Sequence, residues 1–330
     1  MRIAIHESST GSGPHVAMIN RGLCALGHTV APYQRGQGAD LVIVHGQVAH
    51  RTDYSYPHFP DERIPMAFVD FAEFGYFTRL PERAKSFANC FTPSAIGHDT
   101  KNRHEQIRLK SYLDGRSFPY FLREKHRLVS YPAGYHPIDY PLYHLSHCDA
   151  RPNREEYLRR DLDLFCWWGH SHPWRPLIAD ALRNAHVRAE IGDRWTDENM
   201  PQDRYFERTG AAKCSVSFDG YGSGSFRMTE VLVRTLLLQG PLAIETRAPL
   251  VDGETCRMYQ VKSDGEEFCG TNVAEVMRAA LADPEGSYAI YERGYEHCMA
   301  HLTEKATAQY LLDVVAAHDW STPTELEVAR

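Results

Sequence analysis

The sequence predicts an α/β protein built from two Rossmann-like domains. Three observations carry that expectation. Short apolar runs alternate with amphipathic stretches, the pattern of parallel βαβ units. The alternation breaks once, in a Pro-, Tyr- and Gly-rich segment near 132–150, and then begins again. At 330 residues the chain exceeds one small core and fits two domains of ordinary size. The boundary is set at residue 145, giving an N-terminal domain over 1–145, a C-terminal domain over 146–320 and a polar, mobile tail over 321–330.

The first half opens with RIAIH (2–6), a buried strand, followed by the loop ESSTGSG. PHVAMINRGLCALGH then reads as a helix with Val16, Ile19, Leu23 and Leu26 on one face. Pro14 suits its first turn and Gly27 its C-terminal cap. HTVAPY, ADLVIVHG and IPMAFVD supply further strands, the last ending at Asp70. Residues 47–63 lack periodicity and predict a long loop, of the kind that often carries a site. Its rings at Tyr54, Tyr56 and Phe59 could stack on a sugar or a base. Short strands are expected near 118–122 and 127–131.

The second half repeats the grammar. LDLFCWWG (162–169) is a continuous apolar strand. HPWRPLIADALRNA is a helix, with Trp174, Leu177, Ile178, Ala181 and Leu182 forming its apolar stripe. VRAEIG and AKCSVSF read as strands, GSGSFRMTEVL as a turn entering a helix, and GPLAIE as a strand. NVAEVMRAALAD, YAIYERGYEHCMAHL and KATAQYLLDVVAAH are expected helices.

Composition narrows the function classes. Hydrophobic residues at 43% and charged residues at 24% mark a globular chain. A net charge of −7 gives no electrostatic reason for nonspecific binding to nucleic acid or anionic membrane. Eight scattered cysteines with no CxxC pair predict reduced thiols and a cytoplasmic location. MRIAIHESS turns polar too early for a signal peptide, and no apolar run is long enough to span a bilayer. No zinc ligand set is visible, and His170 and His172 read as loop histidines.

Two nucleotide motifs fail. GSGPHV has Gly11 and Gly13 but Val16 where a dinucleotide fingerprint needs its third glycine, and VAPYQR ends without a ribose-binding acid. No phosphate-loop motif GxxxxGK[ST] occurs. GSGSFRMTE is better placed. Ser223, Gly224 and Ser225 would open a helix, where unpaired N–H groups and the dipole favour an anion. Arg227 could add a charge-assisted contact to a diphosphate, and Glu230, one turn on, could accept both hydroxyls of a ribose. The competing reading is an ordinary helix cap followed by a surface Arg–Glu pair. Asp70 and Glu73, after a predicted strand, are candidate general bases, because sites in parallel sheets lie outside the carboxyl ends of strands.

SFDGYGSGSFRMTE followed by LLLQGPLAIE resembles the donor-site region of GT-B-type glycosyltransferases, and SGPHVAMINRGLCALGHTV is similar to their first loop and helix. YPAGYHPIDYPLYH looks like their linker, and LFCWWGHSHPWRPLIADAL like the start of their donor domain. The resemblance implies two domains facing each other across a cleft, with a final helix crossing back onto the first. It implies a nucleotide-sugar co-substrate, UDP- or GDP-linked, with no separate cofactor and no metal. Donor contacts would come from Gly11, Gly13, Arg175, Ser223, Gly224, Ser225, Phe226, Arg227 and Glu230, and His15 would take the position of the catalytic histidine of some inverting members. Thr235 stands where many members carry Gly, and Gly222 where a two-glutamate motif needs Glu, which leaves retention or inversion open. The acceptor is equally open: a small molecule, a glycan, a protein or a modified nucleic-acid base. A same-fold epimerase or hydrolase and a two-domain small-ligand binding protein are the alternatives.

Overall fold

Two parallel sheets with the same winding order organise the chain. The structure, a computed structural model, describes residues 1–6, 14–34, 36, 38–45, 63–71, 113–123, 125, 127, 130–142, 151–169, 172, 174–193, 200–218, 226–264 and 267–326. The first sheet runs β2-β1-β3-β4-β5-β6, comprising β1 (Arg2–His6), β2 (Thr29–Pro32), β3 (Leu41–His45), β4 (Met66–Asp70), β5 (Tyr120–Leu122) and β6 (Tyr135–Pro137). The second runs β8-β7-β9-β10-β11, comprising β7 (Leu162–Trp168), β8 (Ala189–Asp193), β9 (Ala212–Ser217), β10 (Leu236–Gln239) and β11 (Arg257–Met258). Every pairing within these sheets is parallel. β12 (Val261–Asp264) and β13 (Glu267–Thr271) form an antiparallel hairpin beside the second sheet.

The helices are α1 (Pro14–Ala25), α2 (Arg154–Leu158), α3 (Trp174–Arg183), α4 (Gln202–Ala211), α5 (Phe226–Leu232), α6 (Val273–Ala282), α7 (Pro284–His301) and α8 (Glu304–Ala317). Val16, Ile19 and Leu23 of α1 are buried against Ile3, Ile5 and Ile43, as the periodicity requires. Gly27 caps α1 with φ +82°, where only glycine is unstrained. Helix α8 crosses back and buries Ala308, Leu311 and Leu312 in the same cluster. Its contact with α1 is backbone-close: a Cβ on Gly22 would lie 2.1 Å from the Glu304 carbonyl oxygen. Arg21 adds a forked pair to the Glu304 carboxylate, with Nε 3.0 Å from Oε2.

Several expectations are corrected. The sixth strand is Tyr135–Pro137, inside the segment read as a linker; the strand expected at 127–131 falls partly outside the described residues, and its described residues 127, 130 and 131 are in no strand. Arg127 donates its N–H to the Ala243 carbonyl of the second domain at 2.9 Å, and β6 is anchored by Tyr135, whose ring stacks on Tyr120. The strand expected at GPLAIE is LLLQ, four buried residues just before it. Gly240 ends it under Phe218 and Tyr259, where a Cβ would meet Phe218 at 2.6 Å. The tail from Ser321 is held as far as it is described: Thr324 and Leu326 are buried, and Thr324 Oγ1 accepts from the Phe118 N–H at 3.0 Å. The apolar stripe of α3 is also rotated, with Leu177 41% exposed and Arg175 only 6%. The boundary set at residue 145 lies outside the described residues. No helix among the described residues is long and apolar enough to cross a membrane.

Candidate functional site

In both sheets the strand order reverses at the first strand of the domain, between β1 and β3 and between β7 and β9. Chains leaving neighbouring strands diverge there, opening a crevice at the carboxyl ends. In the second domain Arg175 closes the floor of that crevice. Its Nη1 donates to the Gly169 carbonyl at 3.0 Å, just past β7, and its Nη2 to the Phe218 carbonyl at 2.9 Å, just past β9. Drawn in by two carbonyls, it turns α3 on its axis, which is why Leu177 faces solvent. Buried against both carbonyls, it is not a solvated helix residue. His172 caps the same helix: its Nδ1 accepts the Trp174 N–H at 3.1 Å, which puts the ring proton on Nε2. Burial, helped by Arg175, holds its pKa down at about 3, so the ring is neutral.

Helix α5 enters the crevice beside them. Arg227 donates through Nη2 to the Trp167 carbonyl near the end of β7, and its guanidinium lies 5.1 Å from the Tyr205 ring. Its Nη1 is buried without a hydrogen-bond partner among the described residues. Glu230, half-buried, lies one turn on. Burial pushes its carboxyl pKa up, while Arg227, Arg234 and the Tyr205 hydroxyl pull it back. Arg234 in turn caps the Glu230 carbonyl at 2.8 Å and sits 3.8 Å over Phe206. The result is a carboxylate between two guanidiniums, one of them with an uncommitted N–H. Such a site can accept hydroxyls and pair with an anion. Phe226, the first residue of α5, stacks on Tyr140 of the first domain with centroids 4.1 Å apart.

In the first domain the carboxyl ends of β1, β3 and β4 carry His6, His45 and Asp70, all buried. Asp70 accepts the Tyr120 hydroxyl at 2.7 Å, which ties it to the sheet rather than leaving it open to an acceptor. His45 stacks on Phe71, and burial lowers its pKa to about 4. Sequence reading passed over His45 and His6, although a polar residue closing an all-apolar strand was the signal. His15 falls in the first turn of α1. Gly11, Gly13, Glu73, Ser223, Gly224 and Ser225 lie outside the described residues.

The fold these domains define is GT-B. An α-glucosyltransferase solved with UDP-glucose and DNA containing an abasic site matches over 96% of this chain and 98% of its own, at TM-score 0.55 and 10% identity. The Anabaena protein HepE, solved with UDP, matches over 96% of this chain and 99% of its own, at TM-score 0.50 and 8% identity. The likeness is one of fold. No family model and no curated protein matches the chain.

Proposed function

We propose that the protein is a glycosyltransferase moving a sugar from a UDP- or GDP-linked donor to a hydroxyl acceptor. The observation that carries this reading is the Arg227–Glu230 pair at the β7/β9 crevice of a GT-B fold. Glu230 accepts the ribose hydroxyls, and Arg227, held by the Trp167 carbonyl, offers its remaining N–H to the diphosphate. The acceptor oxygen forms its bond to the anomeric carbon as the bond to the diphosphate breaks, and the acceptor proton passes to a base. His15 is the base this reading favours, since Asp70 is already engaged by Tyr120; Glu73 is its rival. Charge on the leaving diphosphate falls to Arg227, so the reading calls on no metal. The net charge of −7 favours a small molecule, glycan or protein acceptor over a nucleic-acid base. Cys24, Cys166, Cys214 and Cys256, held in no disulfide, support a cytoplasmic setting.

Calorimetry with UDP, GDP, uridine and guanosine tests the site. Glu230→Ala should weaken diphosphate and nucleoside alike, and Arg227→Ala the diphosphate only, each by ~1.5–3 kcal/mol. His15→Ala should leave those affinities unchanged while turnover falls ~10²–10⁴-fold. Folded Arg227 and Glu230 variants that bind like wild type would reduce this stretch to a helix cap and remove the reading's main support.

A further inference from the structure

Four rings stand in a near-parallel column across the two domains. His45, closing β3, lies 6.3 Å from Phe71 at 14°; Phe71 lies 5.8 Å from Tyr140 at 11°; Tyr140 lies 4.1 Å from Phe226 at 28°. The first three belong to the first domain, and the fourth opens α5 in the second. Tyr140 is held further by Arg123, and its chain neighbour Asp139 is anchored as well. The Tyr140 hydroxyl accepts from Arg123 Nη1, whose guanidinium also lies 4.6 Å from its ring centroid. Its neighbour Asp139 accepts the Arg247 N–H at 3.1 Å. Arg247 itself clamps the α7–α8 junction, donating to Ala306 O at 3.0 Å and to Thr307 Oγ1 at 2.8 Å.

A ring held this firmly defines where Phe226 sits, and Phe226 precedes Arg227 directly. Rotation of α5 about its axis would unstack the pair and swing Arg227 off the Trp167 carbonyl together with Glu230. We infer that Tyr140, a residue of the first domain, is a positioning residue for the donor-binding turn of the second. The inference rests on the glycosyltransferase reading for what the turn binds, though not for the stack itself. Tyr140 touches no reacting atom in this scheme. It acts through Phe226, so the first domain sets the donor affinity of the second.

The test pairs Tyr140→Leu, which removes the ring, with Tyr140→Phe, which keeps it, and with Phe226→Leu from the half-buried side. Hydrogen exchange of the α5 amides is followed in the nucleotide-free protein, and calorimetry measures UDP and GDP binding. Tyr140→Leu and Phe226→Leu should each speed exchange in α5 and weaken the bound diphosphate about two- to tenfold, the worth of one aromatic pair. Tyr140→Phe, which keeps the ring but gives up the Arg123 hydrogen bond, should lose less than Tyr140→Leu, and the double Leu variant should lose no more than either single. Additive losses, or α5 exchange unchanged in the Leu variants, would overturn the inference. Should Tyr140→Leu not fold, exchange and binding in Phe226→Leu against wild type decide it alone. If wild-type protein binds neither nucleotide, the glycosyltransferase reading fails, while the exchange data still decide whether Tyr140 positions α5.

Discussion

His45 shows how a single side chain converts burial into pH dependence. Burial lowers its pKa from 6.5 to about 4, so the folded state refuses a proton that the unfolded chain accepts. Its contribution to stability is therefore present at neutral pH and is lost as pH falls from 6.5 towards 4. Asp139 works in the opposite sense: burial raises it to about 6 against the pull of Arg247, so its contribution fades as pH rises from about 4 to about 6. Denaturant unfolding of wild type and His45→Phe at pH 7 and pH 5 separates the two. Wild type should lose about 2 kcal/mol more than the variant on that change, the linkage cost of one histidine held neutral. An equal loss in both proteins would mean that His45 titrates normally. Legibility at this scale was uneven. Arg227 and Glu230 could be read because their spacing alone places them on one helix face. The burial of Arg175 could not, since nothing local to HPWRPL reveals the two carbonyls, from Gly169 and Phe218, that draw it inward.

At the scale of elements, local pattern sufficed where one face is apolar and failed where partners decide. The strands LVIVH and MAFVD and helix α1 follow from periodicity. Helix α2 was passed over although its Asn153–Glu156 capping box is written in the sequence, because five residues leave little periodicity to read. Helix α4 was passed over as well; only Tyr205, Phe206 and Thr209 are buried, and most of the rest is polar. The return of α8 onto the first domain was an expectation of the resemblance, but its close approach to α1 was not legible, because that depends on a glycine whose purpose is visible only across the contact. Gly22→Ala should nonetheless be informative. In an isolated helix alanine gains roughly 1 kcal/mol over glycine. Here its methyl would meet the Glu304 carbonyl oxygen at 2.1 Å, so a net loss of about 1–3 kcal/mol is expected by thermal or chemical denaturation. A stabilised Gly22→Ala protein would show that α8 does not pack on α1 at this distance.

At the scale of the whole molecule, the first domain is assembled from two distant parts of the chain. Its core includes Ala308, Leu311 and Leu312 of α8, and its other face includes Leu326. A fragment ending at residue 142 should therefore lack cooperative unfolding by circular dichroism, and a peptide spanning 304–326 added in trans should restore it. A cooperative transition in the bare fragment would contradict the shared core. The same return crossing orders events during synthesis. Domains usually fold as they leave the ribosome, the first one made folding first. Here the strands of the first sheet emerge early, but the helix that seals their apolar face is translated only after the whole second sheet. The second domain, made without interruption, is free to fold while the first is still waiting for its cover. The nascent protein should thus depend on chaperones at its front half, and the domain begun first should be the one completed last.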